Sequence, residues 1–165
     1  MKKYTKYLNL LASVLLIISL VLMLSCTGII VSSIFNTKLQ ISGIKVLFGG
    51  ELESFSKLQI HSAPLTLIGF ILLIVGLVLI CCFTILKIIK GNSKNVNMII
   101  LCGALFAIIS SIFIFLTKVS FLQSNDFFED APLTLSGGYI TASVLTLLGG
   151  VIALVDPVLS FIDNK

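Results

Sequence analysis

Three cysteines, Cys81, Cys82 and Cys102, are the residues with the clearest potential for soft-metal or redox chemistry. Thiolates bind soft cations, and these three flank one short lysine-bearing turn between two apolar runs. Against a cluster, neighbours on one helix diverge by about 100°, and no histidine or carboxylate lies nearby in the sequence. Buried cysteine also serves as a small hydrophobe, and that is the role expected for them. Asp126, Phe127, Phe128, Glu129 and Asp130 form an acidic and aromatic segment, but it lacks the ligand spacing of an EF-hand loop. Its acids are expected to keep it solvated. His61 is the sole histidine, with no serine or cysteine nucleophile arrangement pointing to it. Asp156, followed by Pro157, falls late in the last apolar run. It reads as a carboxylate snorkelling to the interface rather than an intramembrane site, with proline breaking the helix behind it. No Walker, nucleophile-elbow or zinc motif is present. No metal, no cofactor and no enzymatic activity are expected.

Cys26 needs its own reading. Lysines at the start, a long apolar stretch and then Leu22-Met23-Leu24-Ser25-Cys26 resemble a bacterial lipoprotein signal. That resemblance implies cleavage before Cys26 and lipidation of its thiol. Ser25 fits the pattern, whereas Met23 and Leu24 depart from it. The chain also stays apolar through Ile34, and signal peptides have apolar cores of about 7–15 residues. An uncleaved first helix is therefore expected, with lipidation of Cys26 as the alternative.

These residues must be positioned by apolar elements. Hydrophobic residues make up 58% of the 165 and charged residues 11%, against about 25% charged in soluble domains. A chain so short of polar groups cannot cover a water-facing surface. The uncharged runs predict an all-α membrane protein: one domain spanning 1–165, a four-helix transmembrane bundle running up, down, up, down. The expected helices cover about 8–33, 64–89, 96–117 and 133–155, with outer loops at 34–62 and 118–131 and an inner turn at 90–95. At about 1.5 Å per residue, some 22 residues cross a hydrocarbon core of roughly 30 Å. In the first outer loop, Leu39, Ile41, Ile44, Val46 and Phe48 partly alternate with polar residues before Gly49-Gly50. This predicts a short extracytoplasmic β-hairpin or an irregular, lipid-skimming loop.

Lysine placement orients the bundle. Putting both ends and the middle turn in the cytoplasm places Lys2, Lys3, Lys6, Lys87, Lys90, Lys94 and Lys165 inside. Glu51, Glu53, Asp126, Glu129 and Asp130 then fall outside. Tyr4 and Tyr7 would lie at the inner interface and Tyr139 at the outer one. All 11 basic residues are lysines in tails and turns, which is unlike the basic face of a nucleic-acid binder.

Ala63-Pro64-Leu65-Thr66-Leu67-Ile68-Gly69 recurs as Ala131-Pro132-Leu133-Thr134-Leu135-Ser136-Gly137. Both copies are expected to open a membrane helix, with Ser62 or Asp130 as N-cap and proline in the first turn. Either the two helical hairpins are duplicates or both sites share good helix-start chemistry. Gly69, Gly76, Gly103, Ala104, Ala107, Gly149 and Gly150 are the small residues expected to let helices approach closely.

These features point to lipid as the first partner, with other membrane proteins or self-association next. A non-enzymatic accessory or interaction subunit is the leading expectation, and a small oligomeric transporter or channel the alternative. In size the chain is similar to small multidrug exporters, but it lacks their carboxylate in the first helix, and the four runs are read as free of ionisable groups. The lysine-rich start, the segment Ile44-Lys45-Val46-Leu47-Phe48-Gly49 and four helices filling the chain resemble functionally uncharacterised small four-helix membrane proteins of low-GC Gram-positive bacteria and their relatives. That resemblance implies a bacterial membrane protein and no particular activity. The paired outer-loop cysteines of claudin-like and tetraspanin-like proteins are absent.

Overall fold

The long apolar runs are helical over most of their length, and short strands form at some of their ends and in the segments between them. The computed structural model describes residues 2–32, 38–52, 58–91, 93–128 and 131–162. In chain order the elements are α1 (Lys2–Ser25), β1 (Thr27–Ser32), β2 (Lys38–Ser42), α2 (Gly43–Phe48), β3 (Gly50–Leu52), β4 (Leu58–Ile60), α3 (Pro64–Lys90), α4 (Lys94–Phe115), α5 (Thr117–Ser124), β5 (Leu133–Leu135) and α6 (Gly137–Ile162). Four of the helices are long and apolar enough to cross a membrane, over Tyr7–Ser25, Pro64–Lys90, Lys94–Phe115 and Gly137–Ile162. The shortest, at 19 residues, reaches about 29 Å at 1.5 Å per residue.

The four long helices pack as a ring in which α1 meets α3 and α6, and α4 meets the same two. Small residues let the backbones touch. A Cβ on Gly76 would stand 2.8 Å from the Gly103 carbonyl oxygen, and one on Gly150 would stand 3.1 Å from that of Ala104. All seven small residues expected at helix contacts are buried. Apolar side chains fill the interior and also cover the outside, and hydroxyls are buried among them. Val14, Ile17, Val21, Ile71, Ile74 and Val78 lie on the outside, while Ser19, Thr84, Ser110, Ser111, Ser143 and Thr146 lie within. Hydroxyls stitch the interior: Ser110 donates to the Gly69 carbonyl at 2.7 Å, and Ser143 to the Ser111 carbonyl at 2.9 Å. Ser19 and Thr146 hydroxyls lie 2.6 Å apart. Such bonds serve helix association in lipid, where apolar burial alone does not distinguish neighbour from solvent.

A cap folds over one end. Strand β1 pairs antiparallel with both β2 and β5, and β3 pairs with β4 as a separate hairpin. The first loop thus holds a hairpin, as one of the two expected arrangements had it, but with more strands and a helix besides. The stretch 43–48, expected to continue the alternation, is helix α2, with Gly43, Val46 and Leu47 turned inward. Gly49 ends it at φ +77°, where a Cβ would stand 2.8 Å from the Ile60 carbonyl oxygen, so a glycine is needed there.

Several expected boundaries move. The first helix stops at Ser25, not near 33, because Gly28, Ile29 and Val31 are drawn into the sheet. The fourth begins at Gly137, not 133, and runs past Pro157 to Ile162. The third ends at Phe115 and passes through a break at Leu116 into α5, so much of the third connection is helical. The two repeat copies do not share a conformation. Pro64 starts α3, with Ala63 rather than Ser62 at the N-cap and no side-chain cap bond. Pro132 instead precedes strand β5, and its carbonyl accepts from the Ser32 N–H at 3.1 Å. Asp130, the second N-cap candidate, lies outside the described residues, as do Glu53, Lys57 and Glu129. Tyr139, expected in an outer aromatic belt, is buried and donates its hydroxyl to the Gly43 carbonyl at 3.2 Å.

Candidate functional site

Each of the four long helices carries a buried stripe at three- and four-residue spacing, and near one end of the bundle each stripe presents a polar or charged residue. On α3 the stripe is Leu73, Gly76, Ile80, Thr84, Lys87. On α6 it runs Thr146, Gly149, Ala153, Asp156, and on α4 it is Asn97, Ile100, Gly103, Ala107. On α1 Asn9, Ala12, Leu16, Ser19 and Met23 are buried in the same way. The interior residues at this end are therefore Asn9, Lys87, Asn97 and Asp156.

They meet. The Lys87 ammonium lies 2.6 Å from Asp156 Oδ2, donates to Asn97 Oδ1 at 2.7 Å and reaches Ser160 Oγ at 3.4 Å. Asn9 Nδ2 donates to the same Asp156 oxygen at 2.9 Å. Lys87 and Asp156 are each 2% exposed, so neither charge is met by solvent and each relies on the other. Lys87 also sits in the last turn of α3, where the helix dipole favours a cation. Asn9 Oδ1 and Thr84 Oγ1 are buried with no hydrogen-bond partner among the described residues. The cluster joins all four long helices through one ion pair. It has no nucleophile, but it places an acid and a base within proton-transfer distance.

This corrects three expectations. Asp156 does not snorkel to the interface, and Pro157 does not end the helix. Nor is the bundle interior free of ionisable groups, because Lys87, counted among the turn lysines, lies inside α3 and points inward. The stripe spacing was the available signal: Lys87 stands three residues from Thr84 and seven from Ile80, in register with the packing face.

The remaining candidates are separate from this cluster. Cys82 and Cys102 are exposed and Cys81 half-buried, and no group of three potential metal ligands forms among the described residues. Cys26 joins α1 to β1: its N–H donates to the Leu22 carbonyl, and its carbonyl accepts from Gly43. In the cap, Asn125 grips the backbone of His61, accepting from its N–H at 2.8 Å and donating to its carbonyl at 3.0 Å. The His61 ring stays exposed beside a cavity of about 340 Å³ between residues 48–51 and 59–62. Ser62 lines that cavity, Ala63 donates its N–H to the Val46 carbonyl, and Leu65 donates its N–H to Ser120 Oγ at 3.0 Å. Leu133 pairs with Val31 in the sheet. In comparisons with known proteins the chain matches no family model, no curated protein and no solved structure.

Proposed function

We propose that the protein is a non-enzymatic accessory or interaction subunit of a bacterial cell membrane, crossing it up, down, up, down with both ends in the cytoplasm. The observation that carries this reading is the cap. Its three-stranded sheet ties the exit of α1 to the entry of α6 through β1 and β5, and α5 extends α4 toward it. A rigid, built platform on the far side from the lysine-rich ends is what a subunit needs to hold a partner. Phe127, 76% exposed on that side, is a candidate contact residue, since aromatics are enriched where proteins meet. The ordering of contacts around the ring supports the alternating path: Asn9 of α1 meets Asp156 of α6, and Ser111 of α4 meets Ser143 of α6. A photo-crosslinking residue at Phe127 should yield a discrete adduct after mild detergent extraction, while one at Cys82 should crosslink lipid only. A solitary monomer from both positions, across extraction conditions, would remove the reading.

A second reading, a small transporter, is favoured by one observation, the buried Lys87–Asp156 pair. Ionisable groups within a bundle are default candidates for coupled transport. Purified protein in liposomes should then dissipate an imposed proton or sodium gradient, and Asp156→Asn should abolish that flux. Unchanged permeability to every tested ion and solute would dispose of it.

A further inference from the structure

The six-residue helix α2 belongs to the cap by sequence, yet both of its ends pack against the apolar spans. At its start, Gly43 lies so close to α1 that a Cβ there would collide with the carbonyl oxygen of Met23, inside the span Tyr7–Ser25. At its end, the Phe48 ring meets Phe70 edge-on at 6.1 Å between centroids. Phe70 stands six residues into α3, about 9 Å below Pro64 at 1.5 Å per residue. Backbone bonds fix this depth: Gly43 N–H to the Cys26 carbonyl, and Ala63 N–H to the Val46 carbonyl. The helix has two faces. Val46 and Leu47 are buried against the bundle, whereas Ile44 and Phe48, four residues apart on one side, are 52% and 59% exposed. The one charge on α2, Lys45, bends away and donates to the Glu51 carbonyl at 2.8 Å.

We propose that α2 is a lipid-contact surface: it lies in the outer interface of the bilayer with Ile44 and Phe48 among the upper acyl chains. Helix α2 packs against α1 and α3, whose own outward aliphatic side chains Val21, Ile68 and Ile71 are exposed, and an apolar face held against the spans meets the medium the spans meet. The two apolar side chains then act as a foot that pins the cap to the membrane, in the manner of an interfacial amphipathic helix. Lys45 keeps its ammonium out of the hydrocarbon. The inference rests on the bilayer reading of the four long helices, so its test carries a control for that reading.

The chain has no tryptophan, which makes single-tryptophan reporters clean. Phe48→Trp, Ile71→Trp and Phe127→Trp proteins would be reconstituted into phosphatidylcholine vesicles brominated either high or deep on the acyl chains. Phe48→Trp should show blue-shifted emission and lose more intensity to the high bromines than to the deep ones. Ile71→Trp should be quenched by acyl-chain bromines, and Phe127→Trp much less. Phe48→Trp quenched no more than Phe127→Trp, with Ile71→Trp still quenched, would overturn the foot while leaving the spans intact. An unquenched Ile71→Trp would overturn both. Blue-shifted but unquenched Phe48→Trp emission that depends on protein-to-lipid ratio would mean a second copy covers the face, and the lipid assignment would fail.

Discussion

Replacing Lys87 by methionine removes the ammonium that balances Asp156 and keeps most of the side-chain volume. The variant strands a carboxylate that is 2% exposed and retains only the Asn9 amide as a described donor. Breaking a buried pair from one side costs about 3–5 kcal/mol, because the remaining charge keeps its desolvation penalty without its partner. Taking about 2–4 °C per kcal/mol for a chain of this size, Lys87→Met should lower the melting temperature by roughly 6–20 °C. Asp156→Leu should cost a similar amount, since it leaves the ammonium with Asn97 and a long 3.4 Å contact to Ser160. Asp156→Asn should be milder than Asp156→Leu: its amide oxygen can still accept from Lys87 and Asn9, although the buried ammonium loses its counter-charge. The decisive variant is Lys87→Met with Asp156→Leu, because replacing both partners with apolar groups is often close to neutral. It should recover most of the single-variant loss, a non-additivity of about 3 kcal/mol or more, at the upper end for contacting residues. The assay is loss of the monodisperse peak on heating in detergent, with the exposed Lys94→Met as a surface control. Single variants that melt with the control, or a double variant whose loss equals the sum of the singles, would refute the reasoning.

Four further outcomes are expected. Gly76→Ala should destabilise by about 1–3 kcal/mol, because the new Cβ would meet the Gly103 carbonyl at 2.8 Å; Gly137→Ala, with nothing within 4 Å, should be near neutral in the same melt. Ser136→Ala should cost about 1 kcal/mol, since its hydroxyl accepts from the Tyr139 N–H at 3.4 Å and donates to the Thr27 carbonyl. In a cysteine-free background, a membrane-impermeant maleimide should label Lys118→Cys in intact cells and leave Lys94→Cys untouched until permeabilisation; the opposite pattern would invert the orientation. Intact-mass spectrometry should find α1 retained, because Cys26 is bonded on both sides into the α1–β1 junction and the cap. A mature protein starting at a lipidated Cys26 would contradict that.

The spans were legible because one physical constraint dominates them. Long uncharged runs have no other stable environment than lipid, so four of them emerge from charge placement alone. Their ends were less legible for a reason internal to that criterion. A run bounded at its first charge assigns every terminal charge to a turn, and so Lys87 and Asp156 were placed at the surface when they point inward. A long side chain near a helix end can snorkel or turn in, and the choice depends on whether the neighbouring helices offer oxygens. Asn97 and Asp156 do, from helices that the sequence of α3 does not mention. Residues 27–32 are ambiguous in sequence for a different reason. Thr-Gly-Ile-Ile-Val-Ser suits a buried strand or a membrane helix equally by composition, and the deciding partner, β5, lies more than 100 positions away in the chain.

The repeated heptapeptide isolates that tertiary decision. Ala-Pro-Leu-Thr-Leu is identical in both copies, yet it opens helix α3 in one and forms β5 in the other. Proline tolerates both fates, since it lacks a donor that neither a first helical turn nor the start of an edge strand requires. The copies differ at one position of seven, Ile68 against Ser136. Ser136 is the residue that engages β1: its N–H donates to the Gly28 carbonyl at 3.0 Å, and its hydroxyl donates to that of Thr27. The same hydroxyl accepts from Tyr139 and so delays the start of α6 by several residues. Ile68 offers neither bond, and it stands on the exposed side of α3. A polar side chain at this one position thus ties the fourth long helix to the cap. If the hairpins descend from one ancestor, the difference at this position is what separates a helix free to start at its proline from one that first completes a sheet.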